Sequence, residues 1–408
     1  MKKVLVPKVR FKGFSEEWKE EKFGDTIEPY RIKNYNNEKL QSYSISNKFG
    51  FVNQKEFFEN GGKAIRANKS NSLVVFPNSF AYNPARIDVG SIGLYTKEEK
   101  CLVSPIYEVF KTDRKMNDEF LFNWFKTDEF KWIVNKSKEG SVRNTVYLRN
   151  ISDYLINITS YIEQQKIGKL LENIDNLISL EQSKLNKLKQ LKETLLQKMF
   201  PEGNSKTPRI RFRGFQGEWK EERLENITKR MSSGGTPSTT IKKFYNGKIP
   251  FLTISDMTKV GKYINNTEKN ITPEAIENSS TWLVPKNSLL LSMYASFGKT
   301  AINKKEITTS QAILGIILNN NISVEFLYYL LFLMDINQYW YKQVETGTQP
   351  NLSNWTVSKT LIKLTKNISE QQKIGDFFSK IDTLINLYQS KLNKLKQIKE
   401  GLLQKMFV

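Results

Sequence analysis

One stretch of this chain is written twice, and few arrangements can accommodate it. Residues 163–200 read EQQKIGKLLENIDNLISLEQSKLNKLKQLKETLLQKMF, and residues 370–407 read EQQKIGDFFSKIDTLINLYQSKLNKLKQIKEGLLQKMF. Of the 38 aligned positions 28 are identical, at a constant offset of 207. Neither copy has an interior proline, and steps of three and four between apolar residues predict one long helix in each. In the first copy the stripe comprises Ile167, Leu170, Leu171, Ile174, Leu177, Ile178, Leu185, Leu188, Leu191, Leu195 and Met199. Glu181 and Lys184 interrupt it, where the second copy has Tyr388 and Lys391, and Lys184, Lys187, Lys189 and Lys192 are assigned to the opposite, solvated face. At ~1.5 Å per residue such a helix extends about 57 Å. An apolar stripe of that length needs a partner. The nearest partner is the other copy, which would make an intramolecular two-helix coiled coil; the alternative is that each helix packs on its own globular segment.

A second repeat makes the duplication cover the whole chain. PKVRFKGFSEEWKEEKF from Pro7 returns as PRIRFRGFQGEWKEERL from Pro208, with ten of 17 positions identical. Trp18 and Trp219 fall at the same place in both copies and are expected to be packing anchors. The chain is therefore a tandem repeat with a pseudo-two-fold relation, each half a globular segment followed by a long helix. The boundaries expected are 1–160 for the first globular domain, 161–200 for the first helix, 201–368 for the second domain and 369–408 for the second helix. Inside the domains, short β runs (Ser72–Phe76 and Cys101–Phe110; Ser288–Leu291) precede helices expected from Glu119 to about Val134 and from Glu325 to about Tyr341. Mixed strands, turns and helices of this kind indicate α+β domains.

Composition limits the partners. The formal net charge is +21 over 408 residues, which favours a polyanion, most often nucleic acid. The two long helices hold 14 Lys against nine acidic residues, so +16 of the charge lies on the domains and linkers, where DNA is expected to bind. The chain has no histidine and one cysteine, Cys101, so Cys/His zinc sites, histidine triads and internal disulfides are all excluded. No signal peptide and no apolar window of membrane-spanning length is seen, and a cytoplasmic location is expected.

Motifs for chemistry fail on inspection. Phe297-Gly-Lys-Thr300 looks like the end of a phosphate-binding loop, but Met293 stands where the loop needs glycine. Asn83-Pro-Ala-Arg86 resembles the Asn-Pro-Pro-aromatic motif of amino-methyltransferases but lacks the second proline and the stacking aromatic. It reads instead as a turn presenting Arg86. No clustered acids with a lysine suggest a metal-dependent nuclease. A binding surface remains. Loop Arg, Asn and Gln can address base edges, and Lys the phosphates. The candidates are Lys63, Arg66, Lys69, Asn83, Arg86, Arg143 and Asn144 in the first domain. In the second they are Lys242, Lys243, Tyr294, Ser296, Lys299, Thr348, Gln349 and Asn351.

The doubled Glu-Gln-Gln-Lys-Ile-Gly helix ending Leu-Leu-Gln-Lys-Met-Phe resembles the specificity subunit of type I restriction–modification enzymes. The Pro-x-x-Arg-Phe-x-Gly-Phe entrance and the Gly-Thr-Gln turn at Gly347 fit that family too, whereas the first domain departs from it with Gly140-Ser-Val-Arg. The resemblance implies two target recognition domains, each reading one half of a split double-stranded DNA sequence, with the antiparallel helices fixing the spacing between half-sites. It implies no active site, metal or cofactor on this chain. Partners would be two modification subunits, which use S-adenosylmethionine to methylate adenine, and restriction subunits, which use ATP and Mg²⁺. Two other readings compete: a self-contained nuclease or methyltransferase, and a structural coiled-coil protein with non-specific DNA affinity.

Overall fold

The computed structural model describes residues 5–59, 69–138, 145–259, 261–294, 296–343 and 351–408. The chain forms two compact units, residues 1–182 with 390–408, and residues 183–389. Each contains one globular α+β segment and half of each long helix.

In the first unit, strands β2 (Ile27–Pro29), β6 (Ser79–Tyr82), β7 (Ile92–Tyr95) and β9 (Glu108–Thr112) form a sheet in the order β2-β9-β6-β7. Smaller ladders join β1 (Lys19–Lys22) to β10 (Leu155–Ile158), β3 (Tyr43–Ser46) to β4 (Gly50–Asn53) and β5 (Leu73–Val75) to β8 (Cys101–Val103). In β6 every side chain is buried, as expected of a central strand covered on both faces. Its Phe80 stacks on Phe110 of β9 at 5.0 Å.

The second unit repeats this plan. Strands β12 (Thr228–Ser233), β14 (Tyr263–Ile264), β16 (Leu289–Ser292), β17 (Thr300–Asn303) and β19 (Ile313–Leu318) are ordered β12-β19-β16-β17-β14. The first four match β2-β9-β6-β7 in order. A second sheet holds β15 (Lys269–Ile271), β13 (Ile249–Leu252) and β18 (Thr308–Thr309), and β11 (Lys220–Arg223) pairs with β20 (Leu361–Leu364) as β1 does with β10.

The helices after these sheets are shorter than the sequence suggests. The first stretch splits into Asp118–Trp124 and Asp128–Lys138. The Thr127 hydroxyl donates to the Trp124 carbonyl (2.7 Å) and accepts from the Phe130 amide (3.4 Å), ending one helix and starting the next. The second splits into Val324–Ile336 and Tyr339–Gln343, where Gln338 takes a left-handed φ of 56°.

The long helices run Tyr161–Met199 and Ile368–Met406. Within the first unit Glu181 pairs with Lys391 (3.0 Å) and Asp175 with Lys399. Within the second, Lys192 pairs with Asp382 at 2.5 Å. As numbers rise in one helix they fall in the other, so the pairing is antiparallel. Asp382 is the repeat equivalent of Asp175, and Lys399 of Lys192, so one ion pair is made twice. Lys192 is thus not on a solvated face: its side chain is 13% exposed. Two members of the expected apolar stripe do face outward, Leu177 (47% exposed) and Leu191 (50%). Each helix also packs on a globular segment, so the two expected modes of burial occur together.

Every letter of the repeated Glu-Gln-Gln-Lys-Ile-Gly opening except the second Gln and the Lys has a packing role visible in both units. Glu163 is fully buried and takes two hydrogen bonds from Arg10 of the entrance motif, at 2.7 and 2.8 Å. Glu370 takes the same pair from Arg211, at 2.6 and 2.8 Å. Such carboxylates also sit favourably in the first turn of the helix dipole. Gln164 accepts from the Asn117 amide (2.9 Å) and Gln371 from the Ser323 amide (2.8 Å), fastening each long helix to the N-cap of a domain helix. Ile167 and Ile374 are buried in the core. At Gly168 and Gly375 an added Cβ would lie 2.8 and 2.7 Å from the Cβ atoms of Glu119 and Glu325, so only glycine lets the helices approach this closely.

The Met-Phe ends are used crosswise. Phe407 packs on Phe120 (4.9 Å) and Trp18 (6.3 Å) in the first unit; Phe200 packs on Phe326 (5.4 Å) and Trp219 (6.0 Å) in the second. The Val9 amide donates to the Lys405 carbonyl and the Ile210 amide to the Lys198 carbonyl, both at 2.9 Å. Trp18 and Trp219, each 2% exposed, are the anchors of these corners. Among the described residues no helix is long and apolar enough to cross a membrane.

Candidate nucleic-acid interface

The matched sheet order makes the turn between β6 and β7 equivalent to that between β16 and β17. In the first unit this turn is Asn83–Ser91. Asn83 builds it: its side-chain oxygen accepts from the Ala85 amide (3.1 Å) and its carbonyl from the Arg86 amide (2.9 Å). Arg86 is exposed, and among the described residues its guanidinium has no hydrogen-bond or ion-pair partner. The Val146 amide donates to the Pro84 carbonyl (2.9 Å), so the chain just after residue 144 is tied to this turn. Lys69 is half-exposed in a 3₁₀ turn, Lys69–Asn71, which leads into β5 in another ladder. Lys63, Arg66, Arg143 and Asn144 lie outside the described residues.

In the second unit the equivalent turn carries Tyr294, Ser296 and Lys299. The Ser296 carbonyl accepts from the Ser292 hydroxyl, and the Lys299 amide donates to that hydroxyl at 3.0 Å. Gly298 has φ 86°, and a Cβ there would lie 2.4 Å from Trp340, so the turn is seated on that ring. Thr300 opens a β-strand and not a helix, so the Phe-Gly-Lys-Thr segment does not have phosphate-loop geometry. Lys299 is exposed, and its charge offsets the burial that pushes the Asp335 carboxyl up. Asn351 bridges Tyr294, and the Leu352 amide donates to the Met293 carbonyl (2.9 Å). The structure therefore brings Tyr294, Ser296, Lys299 and Asn351 to one end of the five-stranded sheet. Lys242 and Lys243 lie elsewhere, on a 3₁₀ turn beside β15, with Lys243 paired to Glu274 at 2.6 Å. Thr348 and Gln349 lie outside the described residues.

Three further polar side chains sit at corresponding sheet ends and escape the sequence reading. In the first unit Arg31, just after β2, donates to the Tyr107 carbonyl (3.2 Å) and the Pro105 carbonyl, and lies 3.8 Å from Glu108. In the second, the Thr236 hydroxyl, just after β12, donates to the Gln311 side-chain oxygen. The adjacent Gly234-Gly235 pair was the available signal, since paired glycines mark close backbone approach. A Cβ on Gly234 would come within 1.9 Å of the Thr309 carbonyl oxygen, and one on Gly235 within 2.1 Å of Ser280. Nothing in the sequence marks Gln311.

Cys101 is fully buried, and burial pushes its thiol up to about 12, so it stays protonated near neutral pH. Among the described residues no group of three acidic, Cys or His side chains is placed to hold a metal ion. A cavity of about 940 Å³ in the first unit is lined by Phe122, Lys126, Glu172, Asp175 and Lys399 among others. Lys126 lies 3.3 Å from Asp175 and 3.9 Å above the Phe122 ring, and burial followed by the Lys399 charge pulls it down to about 8. This cluster joins a domain helix to the long helices, and the same cavity is also lined by Ile87, Asp88, Val89 and Gly90 of the Asn83–Ser91 turn.

Comparison with known proteins agrees with this architecture. Residues 10–190 and 216–397 each match the family model for the type I restriction modification DNA specificity domain. The chain is 32% identical over 193 residues to the type I restriction enzyme MjaIX specificity subunit of Methanocaldococcus jannaschii, covering 47% of this chain and 44% of that subunit. It is 30% identical over 182 residues to the EcoR124I/EcoR124II specificity subunit of Escherichia coli, covering 43% of this chain and 44% of that subunit. The matches thus span less than half the length of either relative. In fold it is similar to the S subunit of a type I restriction–modification system from M. genitalium, with a TM-score of 0.63 at 16% identity over 99% of both chains. A chain of another type I R-M system gives 0.52 at 16% identity, over 96% of this chain and 97% of that one.

Proposed function

The chain belongs to the family of type I restriction modification DNA specificity domains, and on that premise we propose that it reads a split DNA target, one half-site per unit. The observation that carries this reading is the doubled family match, laid over two units that share a strand order but carry different side chains at the same turn. Arg86 on the turn of the first unit and Tyr294, Ser296, Lys299 and Asn351 on that of the second are the described residues we assign to DNA contact. Lys69, Lys242 and Lys243 are assigned to phosphate, as are Lys63 and Arg66 in part. Arg143, Asn144, Thr348 and Gln349, outside the described residues, complete the set. Arginine and amide side chains suit base edges in the major groove, and lysine suits phosphate.

In this reading the chain has no active site and binds no cofactor. It directs two modification subunits, which use S-adenosylmethionine to methylate adenine, and restriction subunits, which use ATP and Mg²⁺. The antiparallel helices hold the spacing between half-sites and offer the docking frame. Mapping methylated adenines in DNA from cells that express this chain with its modification partner tests the reading. The expected result is one bipartite motif, absent when this chain is omitted. Methylation or cleavage of DNA by the purified chain alone would overturn it.

A further inference from the structure

We propose that Gln311, clamped by the Thr236 hydroxyl, is a specificity-determining residue of the second unit that presents its amide nitrogen to one base edge in the major groove. The inference rests on the DNA-reading function proposed above. Four connections at one end of the five-stranded sheet converge here through backbone bonds. Gly234 and Gly235 donate to the carbonyls of Ile313 (3.2 Å) and Thr309 (3.0 Å), Met293 donates to Ala312 (2.8 Å), and Leu352 donates to Met293 (2.9 Å). Gln311 is exposed and sits between two of these anchored positions, one residue from Ala312 and two from Thr309. It is therefore on the same loop cluster as Tyr294 and Asn351, on backbone that is fixed before DNA arrives.

The clamp gives Gln311 a chemical polarity. Thr236 is pressed against this loop because neither Gly234 nor Gly235 has room for a side chain. Its hydroxyl donates to the Gln311 side-chain oxygen, which leaves the amide –NH₂ as the outward group. An unclamped glutamine can turn either end to a base and pair bidentately with adenine. A clamped one turns its oxygen toward Thr236 and leads with its donors. It therefore selects an acceptor-bearing edge: guanine O6 or N7, adenine N7 or thymine O4. Holding the amide still also lowers the rotamer entropy lost on binding. The first unit has Arg31 at the corresponding place after β2, with its guanidinium turned to the carbonyls of Pro105 and Tyr107. The two units thus differ in chemistry at one topological position.

The test uses the full chain assembled with its modification partner, with methylation scored across a library of target variants. Gln311→Ala should relax preference at one base pair of one half-site by roughly tenfold, the scale of a single base contact, and leave the other half-site unchanged. Thr236→Val, which frees the amide to rotate, should relax the same base pair by a smaller factor. Gln311→Glu replaces the donors with an acceptor and should lower methylation of the original target below that of Gln311→Ala. An unchanged motif in Gln311→Ala overturns the proposal, as does Gln311→Glu matching the parent. Neither result touches the broader reading, which fails separately if the parent complex shows no bipartite motif.

Discussion

Lys126 should act against stability at neutral pH, in a way that a pH series can isolate. Its pKa is lowered from 10.5 to about 8, first by burial and then by the Lys399 ammonium, while Asp175 partly offsets both. The unfolded chain holds this proton up to about pH 10.4. Between pH 8 and that value the unfolded state binds more protons than the folded one, so stability rises with pH across the window. Below pH 8 the full penalty applies. At about 1.4 kcal/mol per pKa unit the shift corresponds to about 3 kcal/mol, and partial solvent access at the cavity mouth trims this to about 2 kcal/mol. Lys126→Met keeps the apolar stem over Phe122 and removes the charge. Asp175 retains Lys399 as its partner. The variant should therefore be the more stable form at pH 7, by about 4–8 °C in melting temperature for a unit of this size. The gap should close steadily toward pH 10. Near-UV circular dichroism melts of both proteins at four pH values suffice, since other titrating groups cancel in the difference. A gap that stays constant with pH, or a variant less stable at pH 7, refutes the reasoning.

Other expectations follow from the repeated contacts. Arg10→Ala leaves Glu163 buried without its main partner and should cost about 3–5 kcal/mol. Hydrogen exchange should speed up in residues 1–182 and 390–408 and remain as before in residues 183–389, with Arg211→Ala giving the reverse; a uniform effect would contradict the two-unit description. Four residues inserted after Lys187, with four more after Lys394 to keep the helices in register, lengthen each helix by ~6 Å. With base pairs rising ~3.4 Å, the methylated motif should gain one or two base pairs of spacer with its half-sites unaltered. Altered half-sites would sink the spacing role.

Much of the fold was legible because the repeat states it twice. The long helices, their pairing and the Trp18 and Trp219 anchors follow from matched residues at constant offsets. What was not legible depends on three-dimensional neighbours. Leu177 and Leu191 belong to the apolar stripe by spacing, yet face outward. A 3.6-residue helix drifts off any straight seam, and Glu181 and Lys192 take inward positions because Lys391 and Asp382 meet them there. The helix breaks at Thr127 and Gln338 come from a side-chain cap and a left-handed residue, neither of which interrupts the hydrophobic pattern. At the sheet ends, charge and side-chain type picked out Arg86 and Lys299 as exposed cations. They could not separate Arg31 from a surface arginine, nor mark Gln311, because those roles arise from carbonyls and a hydroxyl far away in sequence.

The crosswise use of the Met-Phe ends has a consequence for how the molecule is made. The corner formed by Trp18 and Phe120 is closed by Phe407, nearly 300 residues later than Phe120. On the ribosome, the domain that emerges first is therefore completed only after the second globular domain has emerged. The identical Met-Phe end of the first long helix is used elsewhere: Phe200 packs on Phe326 and Trp219 of the second unit. Until Phe407 has emerged, the first unit carries an open apolar seat matching a sequence that the nascent chain already displays once, at Met199-Phe200. Removal of residues 390–408 would accordingly injure the unit built on residues 1–182, to which they belong, more than the unit of residues 183–389.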